Sequence, residues 1–146
     1  MLFKPEMINK ILWGQKNQTR RLLKPGDVGL YDESRNYSAI KTNGRYTIQV
    51  GHCYAIQPGR GQKAIGDWQI RILAIRIEPL QCISEYDAKW EGAPLVNDYH
   101  FAIGLNDFIS YRSGFARLWD SINTRPDVRW AANPIVKVFL FEMVSK

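Results

Sequence analysis

The chain has 146 residues, 45% of them hydrophobic and 23% charged, which suits one domain, residues 1–146, with its own core and argues against disorder. No apolar run approaches the roughly 20 residues a bilayer span needs, and Lys4 and Pro5 stand where a secretory leader would be hydrophobic, so a cytoplasmic protein without a membrane partner is expected. The net charge of +6 lies almost wholly in residues 1–26, six basic side chains against one acid, a local surplus that points to an anionic partner rather than to solubility alone.

Pro5 suits a first helical turn, and Met7, Ile8, Ile11 and Leu12 recur on one face, which predicts a helix over residues 5–13 stopped at Gly14. The next residues, Gly14-Gln15-Lys16-Asn17-Gln18-Thr19-Arg20-Arg21, leave the helix and become extended over 17–23. In a strand, Asn17, Thr19, Arg21 and Leu23 share one face and Gln18, Arg20 and Leu22 the other. Thr19 and Arg21 can therefore act together, with Lys16 joining them from the turn. Pro25-Gly26-Asp27 marks a turn, and Val28, Leu30 and Tyr31 a short strand. Asn43-Gly44 predicts a tight hairpin pairing Ser38–Thr42 with Arg45–Val50, with Tyr46, Ile48 and Val50 on a core face.

Pro58-Gly59-Arg60-Gly61-Gln62-Lys63 reads as an exposed basic loop without the Walker pattern. Along Trp68–Ile77 the apolar residues shift parity, from Trp68, Ile70 and Ile72 to Leu73, Ile75 and Ile77, which predicts a β-bulge or strong coil. Ser84–Trp90 is a short helix with Ser84 as cap and Asp87 positioned to return the bond, ending at Glu91-Gly92. Residues 93–107 read as irregular, anchored by Tyr99 and Phe101. A last helix carries the stripe Tyr111, Phe115, Leu118, Trp119 and Ile122. Asn133-Pro134 then turns into a strand over Ile135–Met143, apolar on both faces and hence central. The fold class is α+β: a small, strongly curved or partly open β-barrel flanked by two to three helices. Cys53 and Cys82, with only His52 and His100, build no zinc spacing; no metal or organic cofactor is expected. Nothing in the sequence sets an oligomeric state.

Gly14-x-Lys16-x-x-Thr19-x-Arg21 after a helix, with Pro25-Gly26-Asp27 following, resembles the signature of the ASCH domain, a branch of the PUA-like superfamily. The opening Met1–Leu23, the segment Ile83–Gly92, Leu118–Asn123 and Asn133-Pro134 with the last strand are similar to a bacterial and phage subgroup of that family. The resemblance implies a PUA-like barrel that binds RNA or a modified nucleoside. Within the family some small members are amidohydrolases that remove the acetyl group of N4-acetylcytidine, and ribonuclease activity has also been suggested.

Carried over by position, the family's lysine, threonine and glutamate fall on Lys16, Thr19 and Glu91. The resemblance implies Thr19 as hydroxyl nucleophile, Lys16 as base and Glu91 as proton carrier, with Arg21 on the developing oxyanion or a substrate phosphate. For polynucleotide binding, Arg20, Arg21, Lys24, Arg60 and Lys63 are the phosphate contacts, with Trp13, Tyr54 or Trp90 stacking on a base. The alternatives that remain are an RNA-binding module without catalysis, a ribonuclease, and a phage-related protein whose basic patch meets an acidic protein. The chain is longer than the compact amidohydrolase-like members, and its additional segment Tyr99–Asn123 is expected to narrow or cover the cleft.

Overall fold

The computed structural model describes residues 1–97 and 109–146. Helix α1 (Pro5–Leu12) buries Met7, Ile8 and Ile11 and ends one residue earlier than the periodicity suggests. Its exit is a Schellman turn: Gln15 N–H reaches Lys10 O at 2.8 Å and Gly14 N–H reaches Ile11 O at 3.1 Å, with Gly14 at φ +72°. Only a left-handed residue allows this reversal cheaply, and it drops Lys16 towards the interior rather than towards solvent.

Seven strands form one antiparallel sheet: β1 (Gln18–Leu22), β2 (Asp27–Tyr31), β3 (Tyr37–Thr42), β4 (Arg45–Gln49), β5 (Cys53–Ala55), β6 (Trp68–Pro79) and, last in the chain, β9 (Ile135–Ser145). The spatial order is β1-β9-β6-β3-β2, with β4 on β3 and β5 on β6. The sheet is curled but not closed into a barrel. Its curl is measured by Asp27 on β2, which reaches Lys137 on β9 at 2.6 Å although β3 and β6 lie between those strands.

The bulge falls where the apolar parity changes: pairing of β6 with β9 shifts between Ile72 and Ala74. Leu73, the extra residue, is half exposed, and the inward series resumes at Ile75. The Asn43-Gly44 hairpin forms with φ of 51° and 79° at its centre. Its expected core face does not: Tyr46 and Val50 are exposed and Ile48 is partly buried. The reason is topological, because among the described strands β4 pairs with β3 alone, and Tyr46 instead lies under Lys41 Nζ at 4.5 Å. As expected, β9 is central between β1 and β6, burying Val136 and Val138 on one face and Phe139 and Phe141 on the other, and it runs on to Ser145.

Helix α2 (Glu85–Trp90) is capped by Ser84 Oγ accepting from Asp87 N–H at 3.0 Å. The return half of a capping box is absent, because the Asp87 carboxylate is drawn to Arg20, Arg76 and Gln18. Two short strands, β7 (Val96–Asn97) and β8 (Ile109–Ser110), pair ahead of helix α3 (Tyr111–Ile122). The expected anchors Tyr99 and Phe101 lie outside the described residues. The first amides of α3, at Tyr111 and Arg112, donate to the Glu85 carboxylate of α2 at 2.9 and 2.7 Å, so one helix caps the next.

Two cores flank the sheet. One gathers Phe3, α1 and the inward residues of β3, β6 and β9; the other gathers Leu80, Phe115, Trp119, Trp130, Val136 and Val138. Gly114 sets how closely α3 approaches the chain: a Cβ there would stand 1.7 Å from Pro94 O and 2.8 Å from its carbonyl carbon. Gly114→Ala is expected to lose about 1–3 kcal/mol, towards the upper end because backbone rather than a side chain must move. Thermal unfolding of the variant checks this. Cys53 and Cys82 are both free and exposed.

Candidate functional site

The two faces of β1 are used differently, following the strand's parity. Gln18 and Arg20 point towards α2, while Thr19 and Arg21 point towards Phe3 and the first core. Thr19 pairs across the ladder with Phe139, and Arg21 with Lys137. A cavity of about 730 Å³ opens at this strand, walled by residues from the N-terminal segment and α1, β1, the ends of β2, β3, β4 and β9, Pro58-Gly59, and α3. Lys16, Thr19, Arg20, Arg21, Lys24 and Glu91 all contribute to its lining.

At its inner end Lys16 is 5% exposed and all three of its protons are used. Nζ donates to Glu91 Oε2 at 2.9 Å, to Glu91 O at 2.7 Å and to Gln18 O at 2.8 Å. Burial pulls the Lys16 pKa below its ordinary 10.5; Glu91 opposes that fall, and Arg21 and Arg20 add to it. The other Glu91 oxygen, Oε1, accepts from Arg20 at 3.1 Å. Arg20 is itself enclosed, with Gln18 Oε1 at 2.7 Å, Glu78 at 3.1 Å and Asp87 at 3.4 Å, and Arg76 braces both of those carboxylates. Arg20 is thus turned to carboxylates within the protein.

Thr19 is 4% exposed, and its Oγ1 accepts from Arg21 Nε at 3.3 Å. Arg21 also donates to Leu2 O and lies over the Phe3 ring, 5.2 Å from its centroid, while Lys16 Nζ approaches that ring to 5.9 Å. Burial lowers the Arg21 pKa from its ordinary value and Glu91 partly restores it.

Of the residues expected to contact phosphate, Arg20, Arg21 and Lys24 line the cavity, Arg20 with its guanidinium turned to carboxylates. Arg60 and Lys63 are exposed on the β5–β6 loop and are not brought into it, although Pro58 and Gly59 of the same loop form part of the wall. Among the candidate stacking residues Trp13 is exposed, whereas Tyr54 and Trp90 are partly buried. Phe115, Leu118, Trp119, Ile122 and Asn123 supply one wall, so the described part of the additional segment forms one side of the cleft.

The outer end holds a group the sequence did not bring forward. The Asp27 side chain has no exposure and accepts from Lys137 Nζ at 2.6 Å, Thr42 Oγ1 at 2.6 Å and Lys24 N–H at 2.9 Å. Desolvation pushes its pKa up, but the bonds from Lys137, Thr42 and Lys24 and the Lys137 charge outweigh it, leaving the pKa below 3.8. The folded value lies under the unfolded one, so the stabilisation is present above pH 3.8 and fades as pH falls through the lower folded value. Asp27→Asn is expected to cost about 1–3 kcal/mol at neutral pH, with the gap from the native protein closing in acid. Thermal melts from pH 2 to 7 check this.

Among the described residues, no group of three or more His, Cys, Asp or Glu side chains is placed to hold a metal ion, and no helix is long and apolar enough to cross a membrane.

The fold can be placed among solved structures. An ASCH domain from Lactobacillus crispatus JV V101 superposes with a TM-score of 0.50 at 18% identity, covering 96% of this chain and 71% of its own. A DUF984 protein from Enterococcus faecalis V583 gives 0.55 at 19%, covering 94% of this chain. This chain spans 66% of the DUF984 protein's length, just under two thirds. No family model and no curated protein matches the sequence. The chain has the α+β fold of that ASCH domain, built on an open antiparallel sheet with three α-helices among the described residues.

Proposed function

We propose that the cavity binds a modified nucleoside, free or within RNA, and hydrolyses an exocyclic amide such as that of N4-acetylcytidine. The observation that carries this reading is the convergence of Lys16, Thr19, Arg21 and Glu91 on one recess of about 730 Å³. That volume suits a nucleoside-sized ligand, and its walls are largely apolar with a few placed polar groups. Two of the cations expected to track a polynucleotide lie outside it, and Arg20 is neutralised within, which favours a small substrate over a long phosphate track.

In this reading Lys16 in its neutral form removes the Thr19 proton, and Thr19 Oγ1 forms a bond to the amide carbon. Arg21, already bonded to Oγ1, neutralises the developing oxyanion. Glu91 relays the Lys16 proton to the leaving nitrogen as the C–N bond breaks, releasing cytidine. Water then cleaves the Thr19 acetyl ester, giving acetate and restoring the hydroxyl. Burial of Lys16 serves the first step, since an amine with a lowered pKa is more often neutral near physiological pH.

Incubation of purified protein with N4-acetylcytidine and, separately, with short RNA, followed by chromatography, tests the reading. Cytidine and acetate are the expected products from the nucleoside, lost in Lys16→Ala. Cleaved RNA would instead indicate a ribonuclease, and binding of RNA without turnover a recognition module.

A further inference from the structure

The outer end of the cavity carries more positive charge than its neighbours account for. Its walls as a whole hold six basic side chains, Lys4, Lys16, Arg20, Arg21, Lys24 and Lys137, against two acids, Asp27 and Glu91. Lys16 and Arg20 are matched by Glu91 and by Glu78 and Asp87 from outside the wall. That leaves Lys4, Arg21, Lys24 and Lys137, with Asp27 the one wall carboxylate ion-paired to any of them among the described residues. Arg21 and Lys137 stand directly opposite each other on β1 and β9, where their side chains leave the sheet on the same face.

Two like charges so placed are destabilising unless something lies between them. Asp27 answers Lys137 alone. The described hydrogen-bond and ring partners of Arg21 are Thr19 Oγ1, Leu2 O and the Phe3 ring, none of them an anion, and Glu91, the carboxylate that acts on it, is already paired with Lys16 and Arg20. Lys24 is exposed on the β1–β2 turn, and its backbone amide is tied to Asp27, which fixes where its side chain starts. Asp27 also holds Lys137 at 2.6 Å and has no exposure itself, so it positions that ammonium, two of whose protons remain for a ligand.

We propose that this end of the cavity is a phosphate subsite, formed by Lys24 and Lys137, so that the substrate class is a nucleotide bearing a phosphomonoester. This rests on the nucleoside reading above and adds to it the group that is held away from the chemistry. Thr19 and Arg21 lie on the same strand face, so a base at Thr19 and a phosphate at Lys137 are reached by one ligand extended along β1.

The test is titration of the native protein and of Lys24→Glu with cytidine, cytidine 5′-monophosphate and inorganic phosphate at low and high salt. The monophosphate is expected to bind about tenfold or more tightly than cytidine at low salt, with the advantage shrinking as salt rises and lost in Lys24→Glu. Cytidine and its monophosphate bound equally would overturn the subsite and leave the nucleoside reading standing. Phosphate bound as well as the monophosphate, with no binding of cytidine, would support the anion site and overturn the nucleoside reading. No binding of any of the three would overturn both.

Discussion

Glu91→Ala should lower stability by about 3–5 kcal/mol, the cost of leaving buried cations without their counter-charge. Glu91 is 3% exposed, and its two oxygens hold Lys16 at 2.9 Å and Arg20 at 3.1 Å. Arg20 keeps Glu78 and Asp87 after the substitution, but Lys16 keeps only the carbonyls of Gln18 and residue 91. Lys16 is therefore expected to shed its proton more readily in the variant, since Glu91 is what opposes the effect of burial. At roughly 2–4 °C per kcal/mol for a domain of this size, the melting temperature should fall by about 10 °C. Because the pair is buried, the loss should persist at high salt, unlike that of the exposed Arg71–Glu142 pair, which salt screens. Calorimetry at two ionic strengths reads both features. A loss below 1 kcal/mol would mean that the buried pair is not formed in solution.

Thr19→Val should do the opposite, sparing the fold and removing the reaction. The two side chains are nearly isosteric, valine is at home in a strand, and the one described hydrogen bond lost is the 3.3 Å contact from Arg21. A stability change within about 1 kcal/mol is expected. Turnover of N4-acetylcytidine should drop by about 10³-fold or more, because the group that forms the acyl bond is gone. Initial rates alongside a melting curve separate the two effects. Full activity in the valine variant would remove Thr19 from the chemistry and make water, activated by Lys16, the nucleophile to examine.

Local rules carried the sequence reading a long way, and its failures have physical causes. The helix stop at Gly14, the hairpin at Asn43-Gly44, the Ser84 cap and the parity change at Leu73 each follow from a residue's own conformational limits or from strand periodicity, which need no knowledge of the rest of the chain. Tyr46 misled because alternation predicts a face but not whether another layer covers it. The same limit applies within the site. Parity correctly separates Arg20 from Arg21, yet which of the two meets carboxylates depends on where α2 settles, far along the chain. Asp27 and Lys137 are the clearest omissions. They are 110 residues apart in sequence and meet only because the sheet curls, and the sequence offered only separate signals, Asp27 in the Pro25-Gly26-Asp27 turn and a lysine amid the apolar run of β9.

The rate of N4-acetylcytidine hydrolysis as a function of pH, for the native protein and for Lys16→Met, tests the central claim most directly. A neutral Lys16 as base predicts a rate that rises with pH and levels off below 10.5, the ordinary lysine value, with that rise absent in the methionine variant. A folded native protein with no turnover at any pH, or a methionine variant with the native profile, would contradict the account.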